Sequence, residues 1–175
     1  MAKVAFSKLN LKKQEVVQTL KLNDLEIEVK QYLPVNEKLI LISNVINNAA
    51  SQDATFKNPI KVEIFGSLEI IYNYTNLTFT EKQKEDPSKL YDLLEENGVI
   101  AAVVAMIPED EYQFLIDGID SSMDAFYNYQ NSVMGILDRV SADYSNLDMN
   151  ASAIQKKIAD PANVTLLKNV LEKMG

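Results

Sequence analysis

Between Pro108 and Tyr144 apolar residues recur every three or four positions, and this period constrains the fold more than any other feature of the chain. Tyr112, Leu115, Ile116, Ile119, Met123, Phe126, Tyr127, Val133, Met134, Leu137 and Val140 form the stripe. Such a stripe marks a helix with one buried face. Pro108 suits a helix start, and Glu109, Asp110 and Glu111 complement the dipole of a first turn. The spacing predicts one long helix over about 108–144, interrupted only by Gly118 and Gly135. That helix needs partners, so the expected fold is mainly α: a helical bundle with the long helix as its spine. Gly and Pro number five each, few for a turn-rich sandwich.

The N-terminal third departs from this period. Leu25, Ile27 and Val29 alternate with Glu26, Glu28 and Lys30, and a second alternating run ends at Leu22. Asn23-Asp24 joins them, so a small N-terminal β-hairpin is expected over 15–33. A helical body then fills 36–175. Asn36 reads as the cap of a helix whose inner face carries Leu39, Ile42, Val45 and Ile46. Residues 60–72 show a helical stripe, although their β-branched content also fits a strand. Thr80 with Gln83 forms a capping-box pattern, Asp86-Pro87 opens a helix, and Asn97-Gly98 closes one. Two short helices, 151–159 and 161–174, are expected at the end. The domain reading is a basic arm over 1–14 and a single globular domain over 15–175.

Val99 to Ile107 is apolar throughout. Nine helical residues span about 13.5 Å, too short for a bilayer. The run must instead be enclosed by the chain's own core or by a partner, and Val103 and Val104 decide between the two.

Several function classes are excluded by residue type. The chain has no Cys and no His, so Ser-His and Cys-His catalysis and thiolate metal sites cannot exist. No Gly-rich phosphate cradle occurs. The segment from Asp143 lacks the spacing and distal Glu of a calcium loop. A carboxylate-only hydrolase stays open by residue type, but no feature points to one, and no enzyme, cofactor or metal site is expected. Matches to Asn-x-Ser/Thr, Asn73, Asn76 and Asn163 among them, read as chance in a chain that shows no export signal.

Charge is uneven. The chain carries −8 overall, but residues 81–148 hold fifteen acids against four bases, a local net of −11 that leaves +3 elsewhere. Nucleic acid and anionic membranes are thus disfavoured as partners. Asp117, Asp120 and Asp124 share one helix face. That face reads either as a solvated surface or as contacts for a basic partner. Tyr129 is the aromatic best suited to an exposed contact. Residues 1–14 contain Lys3, Lys8, Lys12 and Lys13 and no acid, interleaved with Val4, Phe6, Leu9 and Leu11. This arm is either a frayed terminus or a segment that orders on a neighbouring subunit.

Three stretches carry a resemblance: "LEIEVKQYLPVNEKLILISNVI", "YTNLTFTEKQKEDPSKLYDLL" and "IQKKIADPANVTLLKNVLEKMG". Together they resemble small structural or assembly proteins from the morphogenesis region of tailed phages of low-GC Gram-positive bacteria. The nearest named family is the tail-assembly chaperones, which are acidic, helical, cysteine-poor proteins. The resemblance implies a non-enzymatic interaction protein, either a chaperone or a minor virion component. It implies phage structural or assembly proteins as partners, homo-oligomers among them, and a place in the host cytoplasm or the virion. The different reading from charge alone is an acidic inhibitor that mimics nucleic acid on a host enzyme. In either case Asp117, Asp120, Asp124 and Tyr129 are the candidate contact residues.

Overall fold

Alternation in the first third produces the expected hairpin. In the computed structural model, which describes residues 3–12, 16–22, 24–51 and 56–146, β1 (Val17–Leu22) pairs antiparallel with β2 (Leu25–Lys30). Leu20 faces Ile27 and Leu22 faces Leu25, so one face of the ribbon is apolar. Asp24 takes a φ of 64°, the left-handed conformation a two-residue turn demands. A two-stranded ribbon is marginal alone. Here Ile27 and Val29 are buried, and the outer edge of β2 is held by Thr75 and Asn76. The Glu28 N–H donates to Asn76 Oδ1 at 3.1 Å, and the Asn76 N–H donates to the Glu28 carbonyl at 3.3 Å.

The remaining elements are helices: α1 (Val35–Ala49), α2 (Pro59–Tyr74), α3 (Glu81–Lys84), α4 (Pro87–Glu96), α5 (Val99–Val104), α6 (Glu109–Gln130) and α7 (Val133–Asn146). The mainly α class with a small N-terminal hairpin is the observed one. The predicted helices at 151–159 and 161–174 lie outside the described residues. Among those described, no helix is long and apolar enough to cross a membrane.

Local chemistry explains most boundaries. Asn58 Oδ1 accepts from the N–H groups of Ile60 and Lys61, with Pro59 at the first position, so 59–74 is helix and not strand. Thr80 and Gln83 form the full capping box. Asp86 Oδ1 accepts from the Lys89 N–H to start α4. Gly98 ends that region with a φ of 67°. One cap differs from expectation: α1 starts after Pro34 without a side-chain cap, and Asn36 lies inside its first turn.

The periodicity over 108–144 becomes two helices. The break falls at Asn131-Ser132, where Ser132 Oγ donates to the Tyr129 carbonyl at 2.6 Å and accepts from the Gly135 N–H at 3.1 Å. Ser132 thus caps α7, a signal the unbroken apolar stripe conceals. Gly135 is required there. A Cβ on it would overlap the Tyr129 carbonyl oxygen and sit 3.0 Å from Gln130 Cα, both backbone atoms. Gly135→Ala should therefore cost about 1–3 kcal/mol. The check is hydrogen exchange of the α7 amides, which should speed up in the variant; unchanged protection would disprove the requirement.

Packing separates residues 1–128 from residues 129–175 as two compact units. In the first unit α1 packs along α2, and α2 packs on α4 and α5. Its core includes Leu41, Val45, Leu68, Ile71, Tyr74, Val103, Leu115 and Met123. Val103 is fully buried and Val104 half-buried, so the apolar run belongs to the core. The inner face of α1 is rotated from the expected one: Lys38, Leu41, Val45 and Ala49 are buried, whereas Leu39 is exposed. In the second unit Val133, Met134 and Leu137, assigned by period to a buried stripe, are exposed.

Candidate interaction surface

One polar network is closed inside the first unit. Glu111, in the first turn of α6, is buried and accepts three hydrogen bonds. Its Oε1 takes the Leu33 N–H at 2.9 Å and the Tyr74 hydroxyl at 2.7 Å, and its Oε2 takes Lys38 Nζ at 2.6 Å. A single carboxylate therefore joins the hairpin exit, α1, α2 and α6. Charge-assisted bonds of this kind are roughly twice as strong as neutral ones. The acids of 109–111 looked alike in sequence as dipole partners, yet Glu109 and Asp110 are exposed and only Glu111 turns inward.

Tyr74 titrates above its ordinary value of 10.0, first because it is buried and then because it donates to the Glu111 carboxylate. The folded chain thus favours the neutral phenol. This contribution is complete below the unfolded value near 10.0 and is lost as pH climbs toward the folded one. The unfolding free energy from urea titrations should fall above about pH 10, by up to about 1.4 kcal/mol per pH unit for this group. Tyr74→Phe should make that fall shallower; an identical alkaline slope would rule out the coupling.

Over this network lies an unusual surface. Lys38 Nζ sits 4.3 Å from the Tyr32 ring centre and 4.8 Å from that of Phe114, a cation between two aromatic faces. Tyr32, Val35, Leu39 and Phe114 remain between 54% and 58% exposed. Val35, Leu39 and half-buried Ile42 follow one stripe of α1, at the border with α6. That border is tight, since a Cβ on Gly118 would lie 2.7 Å from Ile42 Cδ1. On α6, Asp110 and Asp117 lie one turn before and one turn after Phe114, both exposed. The result is a strip of aliphatic and aromatic side chains rimmed by carboxylates. Single exposed apolar residues are ordinary, but a contiguous strip with a polar rim suits a protein partner.

The structure separates the four contact residues expected from sequence. Asp120 and Asp124 both reach Lys57 Nζ, at 2.8 and 3.3 Å. The bond to Asp120 leads in raising the Lys57 pKa, partly opposed by burial. Asp117 accepts instead from Gln113 Nε2 at 2.8 Å and borders the apolar strip. Tyr129 belongs to the second unit, where its hydroxyl donates to Asp138, and that carboxylate holds its pKa above the ordinary value. Lys57 also rims a cleft of about 190 Å³ between α2 and α6, lined by Val62, Glu63, Ser67, Tyr112 and Ile116. Glu63 accepts there from the Ser67 hydroxyl at 3.2 Å. Among the described residues, no group of three or more acids is placed to hold a metal ion.

Sequence reasoning missed Tyr32 and Phe114 because each sits one position before a buried leucine, and Val35 because it is the first residue of α1, directly after Pro34. Only the local sequence D-x-x-x-F-x-x-D, from Asp110 to Asp117, could have pointed to an apolar anchor among acids. Compared with known proteins, the chain matches no family model, no curated protein and no solved structure.

Proposed function

We propose that this chain is a non-enzymatic interaction protein of phage assembly, a tail-assembly chaperone or a minor virion component, working in the host cytoplasm or the virion. The observation that supports it best is the exposed strip of Tyr32, Val35, Leu39 and Phe114 with its carboxylate rim. Aromatic anchors of this type supply affinity, and the acids steer basic partners and keep the chain soluble. Phage structural or assembly proteins would seat an apolar segment on the strip. The nucleic-acid-mimic reading has less support, because Lys57 already occupies Asp120 and Asp124.

Mass spectrometry of purified virions beside infected-cell lysate tests the proposal. A virion component appears in both samples and a chaperone only in the lysate. Affinity capture from the same lysate should recover tail proteins with the unmodified chain and lose them with Phe114→Asp. Capture of none, or equal capture by both, would refute the reading.

A further inference from the structure

We propose that the strip between α1 and α6 receives the N-terminal arm of a second copy of this chain. The inference rests on reading the strip as a partner surface and names its occupant. Every described arm residue, 3–12, is exposed, and Phe6 keeps 76% of its surface. A single 3₁₀ turn at Phe6–Leu9 places those two side chains on the same side of the segment, about 6 Å apart along its axis. Val35 and Leu39 are spaced by about the same 6 Å along α1. Lysines bracket the turn, with Lys3 before it and Lys8 and Lys12 within and after it. Acids bracket the acceptor, with Asp110 and Asp117 about Phe114.

The arm is thus apolar with a basic rim, and the strip is apolar with an acidic rim. Each is exposed among the described residues, and each supplies what the other lacks. Reciprocal exchange of arms closes a dimer, whereas head-to-tail exchange builds a ring or filament. Membrane insertion, the other use of a basic apolar segment, would be opposed by the net charge of −8.

Sedimentation velocity of the full chain tests this. The unmodified chain should self-associate in the micromolar range, less so as salt rises. Phe6→Asp with Leu9→Asp should weaken association about thirtyfold or more. Lys8→Glu with Lys12→Glu should weaken it about tenfold, and so should Asp110→Lys with Asp117→Lys. Joining both charge reversals in one chain should restore association to within about threefold of the original. All these positions are exposed, and circular dichroism of each variant should match the parent. A chain that stays monomeric, arm variants that associate normally, or reversals that fail to rescue each other would overturn the proposal. So would arm-dependent flotation of a monomeric chain with phosphatidylglycerol vesicles. A monomer that still captures tail proteins through Phe114 removes the second copy as occupant and leaves the functional reading standing.

Discussion

Glu111→Ala should lower the stability of the first unit by about 3–5 kcal/mol, the cost of breaking a buried ion pair from one side. The substitution orphans three donors at once: the Lys38 ammonium, the Tyr74 hydroxyl and the Leu33 N–H. Lys38→Met should cost less. It leaves Glu111 with two of its three donors, and methionine fills the same space between Tyr32 and Phe114. Glu111→Gln falls between, because the amide oxygen still accepts from Leu33 and Tyr74 while its NH₂ meets the ammonium. The order is therefore Ala worst, Gln intermediate, Lys38→Met mildest. Urea unfolding of the three variants, with the Lys38→Met/Glu111→Ala double mutant, measures it. A loss under about 1 kcal/mol for Glu111→Ala would mean the network is solvated, since exposed pairs contribute no more than that. The double mutant should be more stable than Glu111→Ala alone, because no unpaired ammonium remains.

This network also marks the limit of what was legible in the residues. The hairpin was legible because period two and a two-residue turn are local. So were the Thr80 capping box and the Asp86-Pro87 start. Asn58-Pro59 has the same form as Asp86-Pro87, and it resolves the helix-or-strand ambiguity of 60–72 once both caps are seen side by side. Glu111 was not legible, because its donors lie 78, 37 and 73 residues away and an acid in a first turn already has a sufficient local reason. Lys57 was hidden for the same reason, 63 and 67 residues from the carboxylates it joins. Period alone also could not say which of two adjacent residues turns inward. On α1 the side chain that goes in is Lys38 and the one that stays out is Leu39, opposite to their hydropathy. The lysine can be buried only because Glu111 receives it. The displaced leucine then becomes part of the exposed strip, so the core network and the candidate surface have one physical origin.

Val103→Asp should abolish folding of the first unit, whereas Leu39→Asp should leave its stability within about 0.5 kcal/mol. Val103 has no exposed surface, and Val99, Ile100 and Ile107 around it are also buried. A carboxylate there would face aliphatic neighbours with no donor supplied for it. Burying an unpaired charge exceeds the 4–5 kcal/mol that marks an exceptional substitution. That is comparable to the whole stability of a small domain, about 5–15 kcal/mol. Val103→Thr keeps the shape and adds one hydroxyl, so it should remain folded and lose about 1–3 kcal/mol. The opposite pattern is expected at Leu39, where aspartate meets water and harms only partner binding. Urea midpoints for the three variants, read beside the capture and sedimentation experiments, sort core from surface. A Val103→Asp chain with the parent's midpoint would return the apolar run 99–107 to the surface and make it a rival to the α1–α6 strip. Loss of binding at Leu39 without loss of stability would instead assign affinity to the residues that Lys38 displaces outward.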